Sequence, residues 1–261
     1  MKITRVALAT SGLVVCVATS HSPSSEWHEL HRLLRSRGAP SSAKYIDLLF
    51  VVADASDATW HRRTWRLCRD ARLAVVLPII RAEQGAGQFP FGMTACISWM
   101  LRYFDATITT DEPPLEVLRH LLDFVATGYI GTDFADLYAC LSDCRIASFD
   151  RFECDLLRDE PKLVEGTDLD KFVSVKKTSI ARAVVVAHSN DPMGCVDMVG
   201  RIDAQSGLGM CVIQSHWANA GRKSYIGVLS TSVPMEGTRD GQRERPTSST
   251  LRSLTINDER P

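Results

Sequence analysis

Apolar residues fall along this chain in two rhythms. Short, almost unbroken apolar runs predict strands buried on both faces, and apolar residues three and four apart predict amphipathic helices. The clearest strand is Tyr45 to Ala53, where the apolar run is broken only by Asp47. Leu73 to Ile79 is a second such run. Between them Trp60 to Arg69 reads as a basic helix, and strand, helix, strand implies a right-handed crossover in a parallel sheet. Upstream, Val6 to Ala9 and Leu13 to Val17 are strand-like, and Glu26 to Arg37 is helical through Trp27, Leu30, Leu33 and Leu34. Gly38 to Ser42 breaks that helix with Gly and Pro. Downstream, Phe91 to Tyr103 reads as a helix and Asp105 to Thr110 as a strand. Leu115 to Ala126 is a helix whose start is marked by Asp111, Glu112, Pro113 and Pro114.

The second half repeats the pattern less cleanly. Leu137 to Leu141 continues a helix, and the mixed stretch Phe149 to Glu160 reads as helical. Ile180 to Ala187 is a strand, His188 to Met193 a turn, Met193 to Gln205 a helix, and Gly209 to Ser215 and Ser224 to Ser232 are strands. The short charged turn between the last two predicts that they pair antiparallel. From Glu236 to Pro261 the composition shifts to Gly, Arg, Glu, Pro, Ser and Thr, which predicts a disordered tail. Leu251 to Ile256 in that tail reads either as solvated chain or as a short docking segment.

Composition narrows the class. With 45% hydrophobic and 23% charged residues in 261, the chain has enough apolar mass for one large domain or two smaller ones. A formal net charge of -1 gives no bulk reason to expect nucleic acid or an anionic membrane. No apolar run reaches the roughly 18 residues of a membrane span, so direct membrane insertion is not expected. Lys2 and Arg5 are followed by an apolar run broken at Thr10, Ser11 and Gly12, which does not make a secretory leader. The 8 cysteines sit mostly in apolar surroundings, as expected of buried thiols in a reducing cytoplasm.

Candidate chemistry is sparse. His28 and His31 are three apart rather than four, and no third ligand is evident, so they read as part of a surface helix and no metal site is expected. Cys140 and Cys144 read as two packed thiols. No nucleophile, base and orienting acid can be assembled around His188 or His216. The stretch Gly128 to Leu137 stands out, because it holds Asp133 and Asp136 three apart. On the first turn of a helix that spacing puts both carboxylates on one face, where the helix N-terminus favours negative charge.

Thr132-Asp133-Phe134-Ala135-Asp136 resembles the loop that FtsZ, the bacterial tubulin relative, inserts into the nucleotide site of its neighbour. Asp133 and Asp136 match the two acids of the family pattern Asn-x-Asp-x-x-Asp, and Gly131 stands at the Asn. Asp47, Phe50 and Pro78 also follow the family's order of strand, helix and strand, and the strand opening at Asp105 follows in turn. The family's glycine-rich phosphate loop is replaced by Asp54-Ala55-Ser56-Asp57-Ala58-Thr59-Trp60. Glycines let backbone N–H groups approach phosphate closely. Asp54 and Asp57 would repel a triphosphate there, and Trp60 would crowd it. The candidate remnant of the phosphate loop is therefore Asp54, Ser56, Asp57 and Thr59, and no counterpart of the guanine contacts is found near Leu115.

The resemblance implies an α/β fold. A truncated parallel-sheet remnant of a nucleotide domain (1–112) is joined by a central helix and acidic loop (113–137) to a smaller α+β domain (138–234), with a tail at 235–261. It implies an FtsZ-like protein with a degraded GTP site. The leading expectation is a non-catalytic cap or modulator, docking through Asp133 and Asp136 onto FtsZ or onto itself by longitudinal contacts, without a cofactor. One alternative is a self-polymerising GTPase of cell division that still binds GTP. Another is a plain interaction module or decaying paralogue.

Overall fold

The computed structural model describes residues 1–20, 25–54, 60–79, 100, 102–125, 134–142, 144, 146–154, 180–189, 211–217 and 224–232. They fall into two compact units. The first is built from Leu13–Thr107 together with Met1–Ala7, the second from Ile108–Arg239 together with Leu8–Gly12.

In the first unit the strands β1 (Lys2–Leu8), β2 (Val14–Thr19), β3 (Gly38–Pro40), β4 (Ile46–Asp54), β5 (Ala71–Ile79) and β6 (Ala106–Thr109) lie in the order β3-β1-β2-β4-β5-β6. β1 and β2 are antiparallel, while β2, β4, β5 and β6 run parallel. Every residue of β4 is buried, so the strand has no face to give to water. Both its faces must be covered, and two helices do this from opposite sides. Helix α2 (Trp60–Asp70) packs on the face of Cys16, Ala18, Leu49, Val51 and Ala53, with Trp60 against Phe104 at 6.1 Å between ring centroids. Helix α1 (Ser25–Ser36) lies on the other face, where its His31 meets Thr4 and Thr19. Of the helix expected over Phe91 to Tyr103, the described residues Met100, Arg102 and Tyr103 are helical.

Two aspartates close the bottom of this sheet. The Val14 N–H donates to Asp47 Oδ2 at 2.8 Å, and Arg72 approaches Asp47 Oδ1 at 3.4 Å. The Ala74 N–H donates to Asp105 Oδ2 at 2.7 Å, and the Asp105 N–H donates back to the Ala74 carbonyl at 2.8 Å. In each case a carboxylate satisfies a backbone donor of the neighbouring strand at a position where the strand ladder begins.

In the second unit β7 (Ile146–Cys154), β8 (Ile180–Ser189), β9 (Cys211–Trp217) and β10 (Ser224–Ser232) lie in the order β7-β10-β8-β9. Helices α3 (Pro114–Val125) and α4 (Phe134–Leu141) belong to this unit. α3 starts with Pro114 and Glu116 in its first turn, as a helix start prefers. It buries Val117, Leu118, Leu121 and Phe124. It also buries His120, whose ring lies 4.9 Å from Phe149. Gly227 of β10 leaves room for that ring, because a Cβ there would stand 2.5 Å from His120 Nδ1.

Several expectations are corrected. Phe149 to Cys154 is strand, not helix. Phe149 and Phe152 are three apart and mimic a helical face, but six pairs with β10 hold the segment extended. β9 and β10 do run antiparallel, yet they are not neighbours, because β8 lies between them and pairs with both. β10 is instead paired along both edges, with β7 and β8, as suits its buried residues Gly227 to Thr231. β8 continues through His188 and Ser189, where a turn was expected. α1 does end before Gly38, as expected, and Gly38 to Pro40 then forms a short edge strand beside β1. The helix expected over Met193 to Gln205 and the tail from Glu236 lie outside the described residues.

Gly38 is a sharp test of the β1–β3 contact. A Cβ at this position would lie 2.0 Å from the Ala7 carbonyl oxygen, a backbone atom that no rotamer change can move. Gly38→Ala is expected to destabilise the fold by about 1–3 kcal/mol. Urea unfolding should show a lower midpoint with an unchanged slope.

Candidate functional site

The strand order creates one distinctive position. After β2 the chain leaves through α1 toward β3, on the far side of β1, whereas after β4 it leaves through α2 toward β5. Connections diverging from two adjacent parallel strands leave a crevice at their C-terminal ends, the usual ligand position in such sheets. Here those ends are Thr19-Ser20 and Ala53-Asp54.

Side chains and backbone tie the two ends together. The Ser20 N–H donates to the Val52 carbonyl at 3.1 Å, and the Asp54 N–H donates to Ser20 Oγ at 3.2 Å. Asp54 is the last residue of β4 and is only 3% exposed. Of the other residues expected at a phosphate loop, Ser56, Asp57 and Thr59 lie outside the described residues. Trp60 begins α2 and is buried in the core against Phe104, as suits an indole, which gains from apolar burial.

His31 was expected on a surface helix, and the structure corrects this. Its ring is fully buried, bonded by Nδ1 to Thr4 Oγ1 at 2.9 Å and by Nε2 to Thr19 Oγ1 at 3.1 Å. It links α1 to β1 and to the end of β2, one residue before Ser20. Burial pushes its pKa down to about 4, and the nearby Lys2, Arg35 and His28 add to the effect. The ring is therefore neutral at pH 7, donating from one nitrogen and accepting at the other. One signal was available in advance: His31 follows Leu30 and precedes Leu34 on the apolar stripe of the helix.

The acidic pair is described only in part. Asp136 is half-buried in the first turn of α4, and Asp133 lies outside the described residues. Helix polarity alone suits an aspartate at the Asp136 position. Around it, Phe134 and Leu137 are buried, and Tyr138 is exposed. Cys140 and Cys144 are buried free thiols, as expected of packed cysteines. Burial pushes them up to about 11 and about 12, so neither is a nucleophile at neutral pH. Among the described residues no three His, Cys, Asp or Glu side chains converge as metal ligands, and no helix is long and apolar enough to cross a membrane.

The chain matches no protein-family model and no curated protein. Its fold is nevertheless found among solved structures. FtsZ from M. jannaschii, solved as an empty dimer, superposes with a TM-score of 0.50 at 12% identity, over 80% of this chain and 67% of that one. CetZ from Methanosaeta thermophila superposes with a TM-score of 0.50 at 12% identity, over 82% of this chain and 68% of that one. The likeness is one of fold. The chain is a mixed, mostly parallel α/β structure, and it spans about two thirds of the length of these proteins.

The buried histidines set a pH dependence. Burial also pushes His120 down, to about 3, against an opposing effect of the Val184 backbone. Neither ring nitrogen has a partner at hydrogen-bonding geometry. Both folded-state values lie below the ordinary 6.5, so the unfolded chain binds the proton first. Their contribution to stability is complete above pH 6.5 and is lost as pH falls toward 4 for His31 and 3 for His120. Urea midpoints should fall between pH 6.5 and 5, and His31→Gln should flatten that slope. An unchanged slope would mean that His31 titrates normally in the folded protein.

Proposed function

We propose that this chain is a tubulin-fold assembly protein that does not hydrolyse GTP. In this reading it caps or modulates a filament of FtsZ type, docking through Asp133 and Asp136 onto the neighbour's nucleotide face. The observation that carries the reading is the chemistry at the ends of β2 and β4. A nucleotide-binding crevice at this position needs backbone N–H groups open to phosphate oxygens. Here the Asp54 N–H is taken by Ser20 Oγ, and Asp54 itself, the last residue of β4, is buried at the strand end that a phosphate would have to approach. These residues do not fit a nucleoside triphosphate, and no catalytic step is assigned to one.

What remains in the acidic turn suits a docking role. Asp136 is held on a helix whose buried face fixes its direction, and a second carboxylate at Asp133 would present a compact anionic tip. Such a tip would meet donors on a partner rather than activate anything within this chain. The same turn could serve self-association by longitudinal contact between copies.

A second reading, a self-polymerising GTPase with an altered site, is favoured by one feature: the diverging connections after β2 and β4 still make a crevice where such sheets bind ligands. The two readings part on nucleotide binding. Titration with fluorescent GTP, with an ordinary FtsZ as positive control, is expected to give no saturable binding. Asp133→Ala combined with Asp136→Ala is expected to weaken binding to FtsZ filaments by about tenfold or more, equivalent to about 1.4 kcal/mol per tenfold. Saturable GTP binding would move the assignment to the GTPase reading. Undiminished docking by the double variant would remove the acidic turn from the mechanism.

A further inference from the structure

Helix α2 carries a charge pattern that the preceding reading does not use. Its eleven residues contain four arginines and one acid, Asp70, a net of +3. The whole chain is -1, so the remainder is -4, from -1 minus +3. The apolar side of α2 is spent on the core through Trp60, Thr64, Leu67 and Cys68. Its other side exposes Arg66 and Arg69, and between them Trp65 is half-buried. The guanidinium carbons of Arg66 and Arg69 stand 5.5 and 5.4 Å from the centroid of the Trp65 ring. This stacking holds two long cationic side chains in place at the surface, so less rotamer freedom remains to be lost on binding. The exposed Arg69–Asp70 contact at 3.1 Å does little to neutralise the patch.

A complementary surface exists on the same chain. At the start of α3, Glu116 is already engaged by Arg119 at 2.5 Å and Arg151 at 3.0 Å. Glu112, Asp111 and Asp150 lie beside it, and Asp111 is exposed. Glu112 is pushed upward, first by burial and then by repulsion from Glu116, Asp150 and Asp111, against the opposing pull of Arg151. At this helix start three acids, Asp111, Glu112 and Glu116, stand with two arginines, Arg119 and Arg151.

We propose that the arginine face of α2 binds the acidic start of α3 on a second copy of this chain. The two surfaces differ, so the contact is heterologous, and each copy can offer one and receive the other. Other anionic partners fit less well. The Trp65 ring is taken up by two guanidiniums and offers little to a stacking base. The apolar side of α2 is buried, which leaves nothing to insert into a lipid surface. The proposal rests on the assembly reading only in taking the chain to associate, and it does not involve the acidic turn.

Analytical ultracentrifugation of the full chain at low salt and in ~0.5 M NaCl is the first measurement, since charge contacts at the surface are screened within a few ångströms at high salt. Wild type is expected to associate at low salt and to dissociate at high salt. Arg66→Glu with Arg69→Glu should weaken association by about tenfold or more, and Asp111→Lys with Glu112→Lys should do the same. Mixing the two variants should restore it, a rescue that a misfolded variant cannot give. Four results would overturn the proposal: a monomeric wild type at low salt, full association by the arginine variant, no restoration on mixing, or arginine-dependent capture of RNA or anionic vesicles without self-association. The variant with Asp133→Ala and Asp136→Ala separates the two ideas. If it loses FtsZ docking but keeps the salt-sensitive association, the contacts are independent. If the arginine variant alone behaves as wild type, only the α2 contact falls.

Discussion

The structure depends most on the burial of β4. Nine consecutive residues without a solvent face must find a strand on each edge and a helix on each side. β2 and β5 supply the edges, and α1 and α2 supply the sides. Covering both faces forces the connections after β2 and β4 to leave in opposite directions. The crevice at Ser20 and Asp54 is thus a by-product of satisfying one strand. The strand order makes this position whether or not anything binds there, which is why fold and function separate so readily at it.

The same constraint explains where polar groups were admitted. A buried hydroxyl or imidazole must be bonded or it destabilises the core. Thr4, Thr19 and His31 satisfy one another across three elements, and Ser20 and Asp54 do so across the two strand ends. Thr107, whose hydroxyl has no partner at hydrogen-bonding geometry, and His120 depart from this. His120 is buried against Phe149 and Gly227 with both ring nitrogens unpaired at hydrogen-bonding geometry. The neutral ring is tolerated as an aromatic packing unit, and charging it would be costly.

The parallel half of the fold was legible because its signals are local and strong. An apolar run such as Ile46 to Ala53 can hardly be anything but a covered strand, and Trp60 to Asp70 has an unambiguous helical stripe. The second unit was less legible because its order is set by long-range pairing. No local feature of Phe149 to Cys154 says that β10 will pair with it, and no property of the turn before Ser224 says that β8 will intervene. The site suffered from the opposite error. His31 was read as a surface residue from its polarity and neighbours, whereas it occupies an apolar position of its helix and is buried there.

The residues that carried the family resemblance turn out to have structural work of their own. Asp47 and Asp105 accept backbone N–H groups from neighbouring strands, a task set by the ladder rather than by any ligand. Phe50 is fully buried in β4. Pro78 stands in β5 beyond the pairs that join β5 to β6 at Val75 and Val76, where a missing N–H costs least. A chain that keeps this sheet must keep such residues whatever its chemistry, and one that abandons a nucleotide can lose the glycines without disturbing the sheet. A likeness built on Asp47, Phe50, Pro78 and Asp105 therefore supports the fold and carries little weight for GTP hydrolysis.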